Sequence, residues 1–242
     1  MIFKNKNLRG KKLEAYKKSL KLNDEQREVL IGTLLGDSSI SLRDNKPHYS
    51  VKFEQCTERK EYVEHLYTIF EPFVGTPPKP RFFPEKKESE QSQFEPNSFE
   101  NETTVQEPRK IKSFWFRTYQ HSSLIFYYNM FYKMNGNEKV KIVPKNIHKF
   151  LTPRALAYWF MDDGNITSDL QTYVLNTQSF EKHECVFLCD VLYRNFSIFS
   201  NIEKDKNKWR IRIRAASADE FKRLIIPYVH PVFDYKLKKN YF

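Results

Sequence analysis

The sequence predicts a mixed α+β protein of two similar halves, on three observations. LIGTLLGDS from Leu30 to Ser38 and LAYWFMDDG from Leu156 to Gly164 are two versions of one segment, a mostly apolar helical stretch that runs into an aspartate, Asp37 or Asp163. HYSVKFEQC (48–56) and NKWRIRIRAAS (207–217) alternate apolar and polar side chains with the period of a half-buried strand. The order of strand, helix and strand that follows the first segment recurs after the second.

A basic extension, 1–23, precedes Asp24, which is expected to cap a helix from Glu25 to Gly36. The two segments align Leu30 with Leu156, Gly32 with Tyr158, Leu34 with Phe160, Gly36 with Asp162 and Asp37 with Asp163. Gly32 and Gly36 stand four apart on one helical face, which permits close approach of a partner helix, and a bulky Tyr158 opposite Gly32 is complementary packing. In the strand that follows, Tyr49, Val51 and Phe53 share one face, and Ser50, Lys52 and Glu54 the other. A helix over 59–70 comes next, and Pro72, Pro77, Pro78 and Pro80 break the chain.

Residues 85–107 hold seven acidic and two basic residues and almost nothing apolar, so they read as a disordered surface loop. Strand character resumes over 113–119, and a helix is expected over 122–134. The first half then spans 24–150 and the second 151–242. Thr152 caps the second motif helix, with Pro153 at its first position and Asp163 at its end. QTYVLNTQSF is a strand, EKHECVFLCDVLYRNF a helix, and 207–217 the last strand, with Trp209, Ile211 and Ile213 toward a core.

The net charge of +11 points to a polyanionic partner, and 21 Phe and 14 Tyr exclude a disordered basic tail. Arg210, Arg212 and Arg214 line one strand face with no acid between them, which a nucleic-acid surface explains, and Lys52 and Arg117 are further candidates for groove contacts. Cys56, Cys185 and Cys189 are too few for a disulfide framework or a zinc site. Neither a secretory signal nor a spanning segment is visible, so the chain reads as soluble, in a reducing compartment. Its heavy use of Lys, Asn, Phe, Ile and Tyr suggests an A+T-rich genome, which fits an organelle, mitochondrion or chloroplast.

The carbonyl end of a helix carries partial negative charge, so a carboxylate there calls for something positive. If the two motif helices pack side by side, two carboxylates meet and require a counter-ion. A hard divalent cation such as Mg²⁺ suits oxygen ligands and a phosphate-bearing partner.

With both motifs in place, and with LTPRALAYWFMDDG, VLNTQSF and a C-terminal YKL as companions, the chain resembles the LAGLIDADG homing endonucleases in their single-chain, two-motif form, over nearly all its length after Asn23. The resemblance implies two αββαββα repeats related by pseudo-twofold symmetry, with antiparallel saddle-shaped sheets and the motif helices at the central interface. It implies a monomeric, site-specific DNA endonuclease that uses Mg²⁺ or Mn²⁺, acts on a long double-stranded site and promotes intron mobility. Carried over position by position, Asp37 and Asp163 bind the metal, Gly36 and Asp162 adjoin it mainly through backbone carbonyls, Lys141 and Lys236 lie near the scissile phosphates, and Glu54 and Gln178 hold water. Ser38 departs from the motif's final glycine, which alters how that helix ends. Two other readings stay open: an RNA-binding intron maturase of the same fold, and a basic component of a ribonucleoprotein.

Overall fold

The computed structural model of the protein describes residues 8–42, 49–84, 109–169 and 171–237. The acidic stretch 85–107 lies outside the described residues. After α1 (Gly10–Ser19), the first half runs α2 (Asp24–Leu35), β1 (Ser39–Leu42), β2 (Tyr49–Cys56), α3 (Lys60–Phe70), β3 (Lys79–Phe82), β4 (Ile111–Arg117) and α4 (Leu124–Phe131). A hairpin follows, β5 (Tyr132–Asn135) and β6 (Glu138–Lys141). The second half is α5 (Pro153–Asp163), β7 (Gly164–Ile166), β8 (Tyr173–Leu175), α6 (Lys182–Phe196), β9 (Ser200–Asp205), β10 (Lys208–Ile213) and α7 (Ala218–Ile225).

Both halves thus run αββαββα, and their antiparallel sheets have the same order, β1-β2-β4-β3 and β7-β8-β10-β9. The inner sheet faces carry Ile40, Val51, Phe53 and Phe116 in one half and Tyr173, Leu175, Ile211 and Ile213 in the other, all buried. The Phe53 and Phe116 rings stack at 4.9 Å. In the first half, α3 covers this face with Tyr62, Val63, Leu66 and Phe70. In the second, α6 does so with Cys185, Leu188, Val191 and Leu192.

The motif helices form the centre. From Val29 to Leu35 in α2 and from Ala155 to Asp162 in α5 every residue is buried, so neither helix keeps a polar face, as expected of helices enclosed on all sides. Their contact is as close as the glycines suggested. A Cβ on Gly32 would stand 2.2 Å from the Ala155 carbonyl oxygen and 2.7 Å from Tyr158 Cβ, and one on Gly36 would stand 2.5 Å from Asp162 Cβ.

Three expectations need correction. Asn23, not Asp24, caps α2: its side chain accepts from the Gln26 N–H at 2.7 Å while Gln26 Oε1 accepts from Asn23 N at 3.0 Å, a reciprocal box that Asp24 is one position too late to form. The helix expected to reach Met134 stops at Phe131, because Tyr132–Asn135 pairs with Glu138–Lys141. Gly136, at φ 59°, makes that turn. The arginine face of β10 is not free of acids, since Glu203 on the neighbouring β9 stands opposite Arg210. Among the described residues, no helix is long and apolar enough to cross a membrane.

Candidate functional site

The C-terminal ends of α2 and α5 place Asp37 and Asp163 on the same side of the helix pair. The carboxylate of Asp162 reaches from α5 to the end of α2. Its Oδ2 accepts from the Asp37 backbone N–H at 3.1 Å, and its Oδ1 accepts from Gln55 Nε2 at 3.1 Å. Gln55 Nε2 also donates to Asp37 Oδ2 at 2.8 Å, and Arg59 Nη1 holds Gln55 Oε1 at 3.1 Å. Both oxygens of Asp162 are therefore engaged inside the protein, whereas Asp37 is solvent-exposed and Asp163 half-buried.

The electrostatics follow from this crowding. Burial, and next the nearby Asp37, push the Asp163 carboxyl up to about 7, against the pull of Lys141 and Lys236. Burial raises Asp162 well above the ordinary carboxylate range too, with Asp37 and Asp163 adding to it.

The positive charge that the helix ends call for comes from two lysines. Lys141 Nζ, at the end of β6, donates to Gly36 O at 2.6 Å and Ser38 O at 3.1 Å. Lys236 Nζ, on the 3₁₀ turn Pro231–Lys236, donates to Met161 O at 2.7 Å and Asp162 O at 3.5 Å. One lysine from each half thus caps one motif helix at the residue before its aspartate. Burial lowers both ammonium groups to about 8, with the aspartates opposing.

Two residues expected beside these do not join them. The β1–β2 register pairs Ser39 with Lys52, and the β7–β8 register pairs Asn165 with Val174, so the second-half counterpart of Glu54 is Asn176 rather than Gln178. Glu54 lies on the outer sheet face, bound to Lys52, to Arg81 Nη1 at 3.2 Å and to Ser113 Oγ at 2.6 Å. Against the upward push of partial burial, these partners hold it down to about 2. Gln178 Nε2 donates to Asp205 Oδ2 at 2.9 Å, at the β9–β10 turn. The side chain that reaches the carboxylates is the next one along, Gln55. It continues the inward parity of Val51 and Phe53, and a polar residue at an apolar parity position was the signal in the sequence. Arg59 carried no such signal.

The basic residues expected at a nucleic-acid surface divide between the two sheets. Lys52 and Arg117 are cross-strand partners on the outer face of the first, with Arg117 bonded to Ser41 and to Ser50 Oγ at 3.3 Å. On the second, Arg210 and Arg212 share Glu203, and Arg214 Nη2 donates to Asn201 Oδ1 at 2.8 Å.

Among the described residues, no group of three or more His, Cys, Asp or Glu side chains is arranged to hold a metal ion. The donor set is two carboxylates and the Gly36 and Asp162 carbonyls, all oxygen. Burial and then the repulsion from Asp37 raise Asp163, and a divalent cation relieves the repulsion. These residues fit a hard cation whose remaining ligands come from water and phosphate.

The family model of the LAGLIDADG DNA endonucleases matches residues 27–221. A "probable intron-encoded endonuclease 1" of Wickerhamomyces canadensis is 32% identical over 96% of this chain and 92% of its own. The cytochrome b mRNA maturase bI2 of Saccharomyces cerevisiae is 24% identical over 89% of this chain and 48% of its own. Among solved structures, the homing endonuclease I-WcaI bound to its DNA recognition sequence is similar at TM-score 0.74 and 29% identity, covering 96% of this chain and 94% of that one. The chain belongs to the LAGLIDADG DNA endonuclease family.

Proposed function

We propose that this protein is a site-specific endonuclease that uses a divalent cation, Mg²⁺ or Mn²⁺, to hydrolyse both strands of a long duplex DNA site. The observation that carries this reading is the paired arrangement at the molecular centre: two aspartates at the ends of adjoining helices, a lysine on each helix end, and a sheet of the same strand order on either side. One chain supplies both halves, 24–150 and 151–242, so a monomer suffices. Relatives named as intron-encoded endonucleases, and one solved on its DNA site, support the same reading, with intron mobility as the role and an organelle as the setting.

Asp37 and Asp163, with the Gly36 and Asp162 carbonyls, would hold the cation. When bound, it supplies Lewis-acid polarisation at the scissile phosphates. Gln55 fixes the rotamer of Asp37, and Arg59 fixes Gln55. Asp162 fixes the backbone that presents Asp37. Lys141 and Lys236 place ammonium groups where charge grows on phosphate oxygens during in-line displacement. The cationic sheet faces position the duplex, with phosphate contacts giving affinity and base-edge contacts giving sequence preference.

The test is cleavage of a plasmid library of intron-insertion sequences with Mg²⁺ by wild type, Asp37→Asn and Asp163→Asn. Discrete double-strand breaks that vanish in both variants, while duplex binding survives, are expected. No cleavage of any DNA, together with tight binding of intron RNA indifferent to either change, would overturn the reading in favour of a maturase.

A further inference from the structure

Glu203 is an acid placed between two arginines of β10. It stands directly across the β9–β10 ladder from Arg210. Its Oε2 accepts from Arg212 Nε at 2.9 Å, and its Oε1 accepts from Arg212 Nη2 at 3.5 Å and from Arg210 Nη2 at 3.1 Å. Arg212 is therefore gripped along its Nε–Nη2 edge. Its end-on edge, Nη1 with the second Nη2 hydrogen, meets no acceptor among the described residues.

That free edge has the geometry to donate twice to O6 and N7 of guanine. An unrestrained arginine on the same strand would instead find a phosphate oxygen on any sequence. A carboxylate facing DNA weakens binding overall through repulsion from phosphate. Its effect on the arginines is of another kind, because it fixes one guanidinium plane and competes with phosphate for two.

We infer that Glu203 is a specificity-determining positioning residue, which holds Arg212 side-on so that its end-on edge reads a guanine in the major groove and restrains Arg210 and Arg212 from indiscriminate phosphate contact. The inference rests on the DNA-binding reading of the sheets.

Full-length wild type, Glu203→Gln, Glu203→Asp and Arg212→Lys are titrated, without divalent metal, with the duplex cleaved by wild type, with its single-base-pair variants and with random duplex, at several salt concentrations. Glu203→Gln keeps the side-chain length and one acceptor, so the hairpin retains its register. It is expected to bind random duplex about 3–10-fold more tightly, with a salt slope steeper by about one. It is also expected to lose preference for G·C at the same position where Arg212→Lys loses it. Glu203→Asp, which retains the charge, returns the salt slope to the wild-type value. Unchanged random-duplex affinity and base preference in Glu203→Gln, or losses at different positions in the two variants, would overturn the inference while leaving the endonuclease reading intact. A wild type that prefers no duplex sequence would overturn both.

Discussion

Asp162 caps the backbone of Asp37 from across the central helix pair, its Oδ2 accepting from the Asp37 N–H at 3.1 Å. The same contact explains Gly36, whose Cβ, if present, would lie 2.6 Å from that oxygen. The carboxylate is buried, and both burial and the neighbouring Asp37 and Asp163 raise its pKa, so its charge is held at a cost. Asp162→Ala leaves the Asp37 N–H without its acceptor and the Gln55 amide with one of its two, which is expected to cost about 1–3 kcal/mol. Asp162→Asn keeps an acceptor for the Asp37 N–H, gives up the one for the Gln55 amide and removes the buried charge, so its stability is expected to fall within about 1 kcal/mol of wild type. Urea unfolding at neutral pH separates the two, and equal losses would contradict the capping role.

Gly32 is the second point at which the helix pair depends on a missing side chain. Its nearest neighbour is backbone, the Ala155 carbonyl, which cannot turn aside as a flexible side chain could. Gly32→Ala is expected to destabilise the protein by about 3 kcal/mol, since α2 and α5 must move apart. The ordinary gain in helix propensity from glycine to alanine, about 1 kcal/mol, has the opposite sign. A stabilised Gly32→Ala protein would therefore show that the helices are not in the contact described.

How much of this was legible in the sequence depends on whether one segment or two set the feature. The motif helices, the close approach at Gly32 and Gly36, and the Thr152 cap on α5 all follow from local pattern. The β5–β6 turn was legible too, in Asn135 and Gly136, but the aromatic run before it has helical composition and hid the boundary. Gln55 was missed although its parity with Phe53 marked it, because faces are assigned only as far as Glu54 in a strand that reaches Cys56. The Glu203–Arg212 pair lay beyond any local reading. The arginines sit on β10 and the acid on β9, and only the register of the hairpin brings them together.

His65 sets a pH dependence remote from the aspartates. Its Nε2 lies 2.6 Å from the Tyr158 hydroxyl and its ring centroid 5.0 Å from that of His230, in a cavity also lined by Glu25 and Arg154. Burial, and then His230, lower its pKa to about 4. The folded state therefore binds fewer protons than the unfolded chain between that value and about 6.5. Stability is full above about 6.5 and is lost as pH falls toward 4. The shift alone corresponds to about 3 kcal/mol, and solvent screening of the half-exposed ring reduces this to about 1–2 kcal/mol. Glu61, which acts on His230, opposes part of the loss. Asp162 and Asp163, raised by burial, add stability as pH falls over the same range, so the difference isolates the His65 leg: the wild-type urea midpoint should fall relative to that of His65→Gln between pH 7 and 4, and a constant difference would contradict it.

Lys141 and Lys236 each bond the carbonyls at one motif-helix end, so removing either acts on the chemistry and on the helix together. Lys141→Met and Lys236→Met are each expected to lower single-turnover cleavage by about 10²–10³-fold. Duplex affinity should change little, because the phosphate charge these groups meet grows only in the transition state. A loss of binding as large as the loss of cleavage would reassign these lysines to ordinary phosphate contact.

Gln55 gives the sharpest asymmetry between the halves. It reaches Asp37 Oδ2 at 2.8 Å and Asp162 Oδ1 at 3.1 Å, with Arg59 behind it. By strand register its second-half counterpart is Thr177, whose hydroxyl is buried and donates to Trp209 O at 3.1 Å. Among the described residues Asp163 thus has no matching strut, and the two aspartates are held by different means. Gln55→Ala frees the Asp37 rotamer and removes one of the two bonds to the Asp162 carboxylate without touching Asp163, and misplacing a reactive group by an ångström costs up to about 10²-fold. Cleavage of one strand should slow about 10–100-fold while the other proceeds, so a supercoiled plasmid bearing the site should accumulate as nicked circle before it becomes linear. Gln55 lies on the inner sheet face, away from the duplex, so Kd should stay within about twofold. Linear product forming directly at the wild-type rate would mean that Asp37 needs no such support. Equal slowing of both strands would mean that the two ends of the helix pair act as one coupled centre.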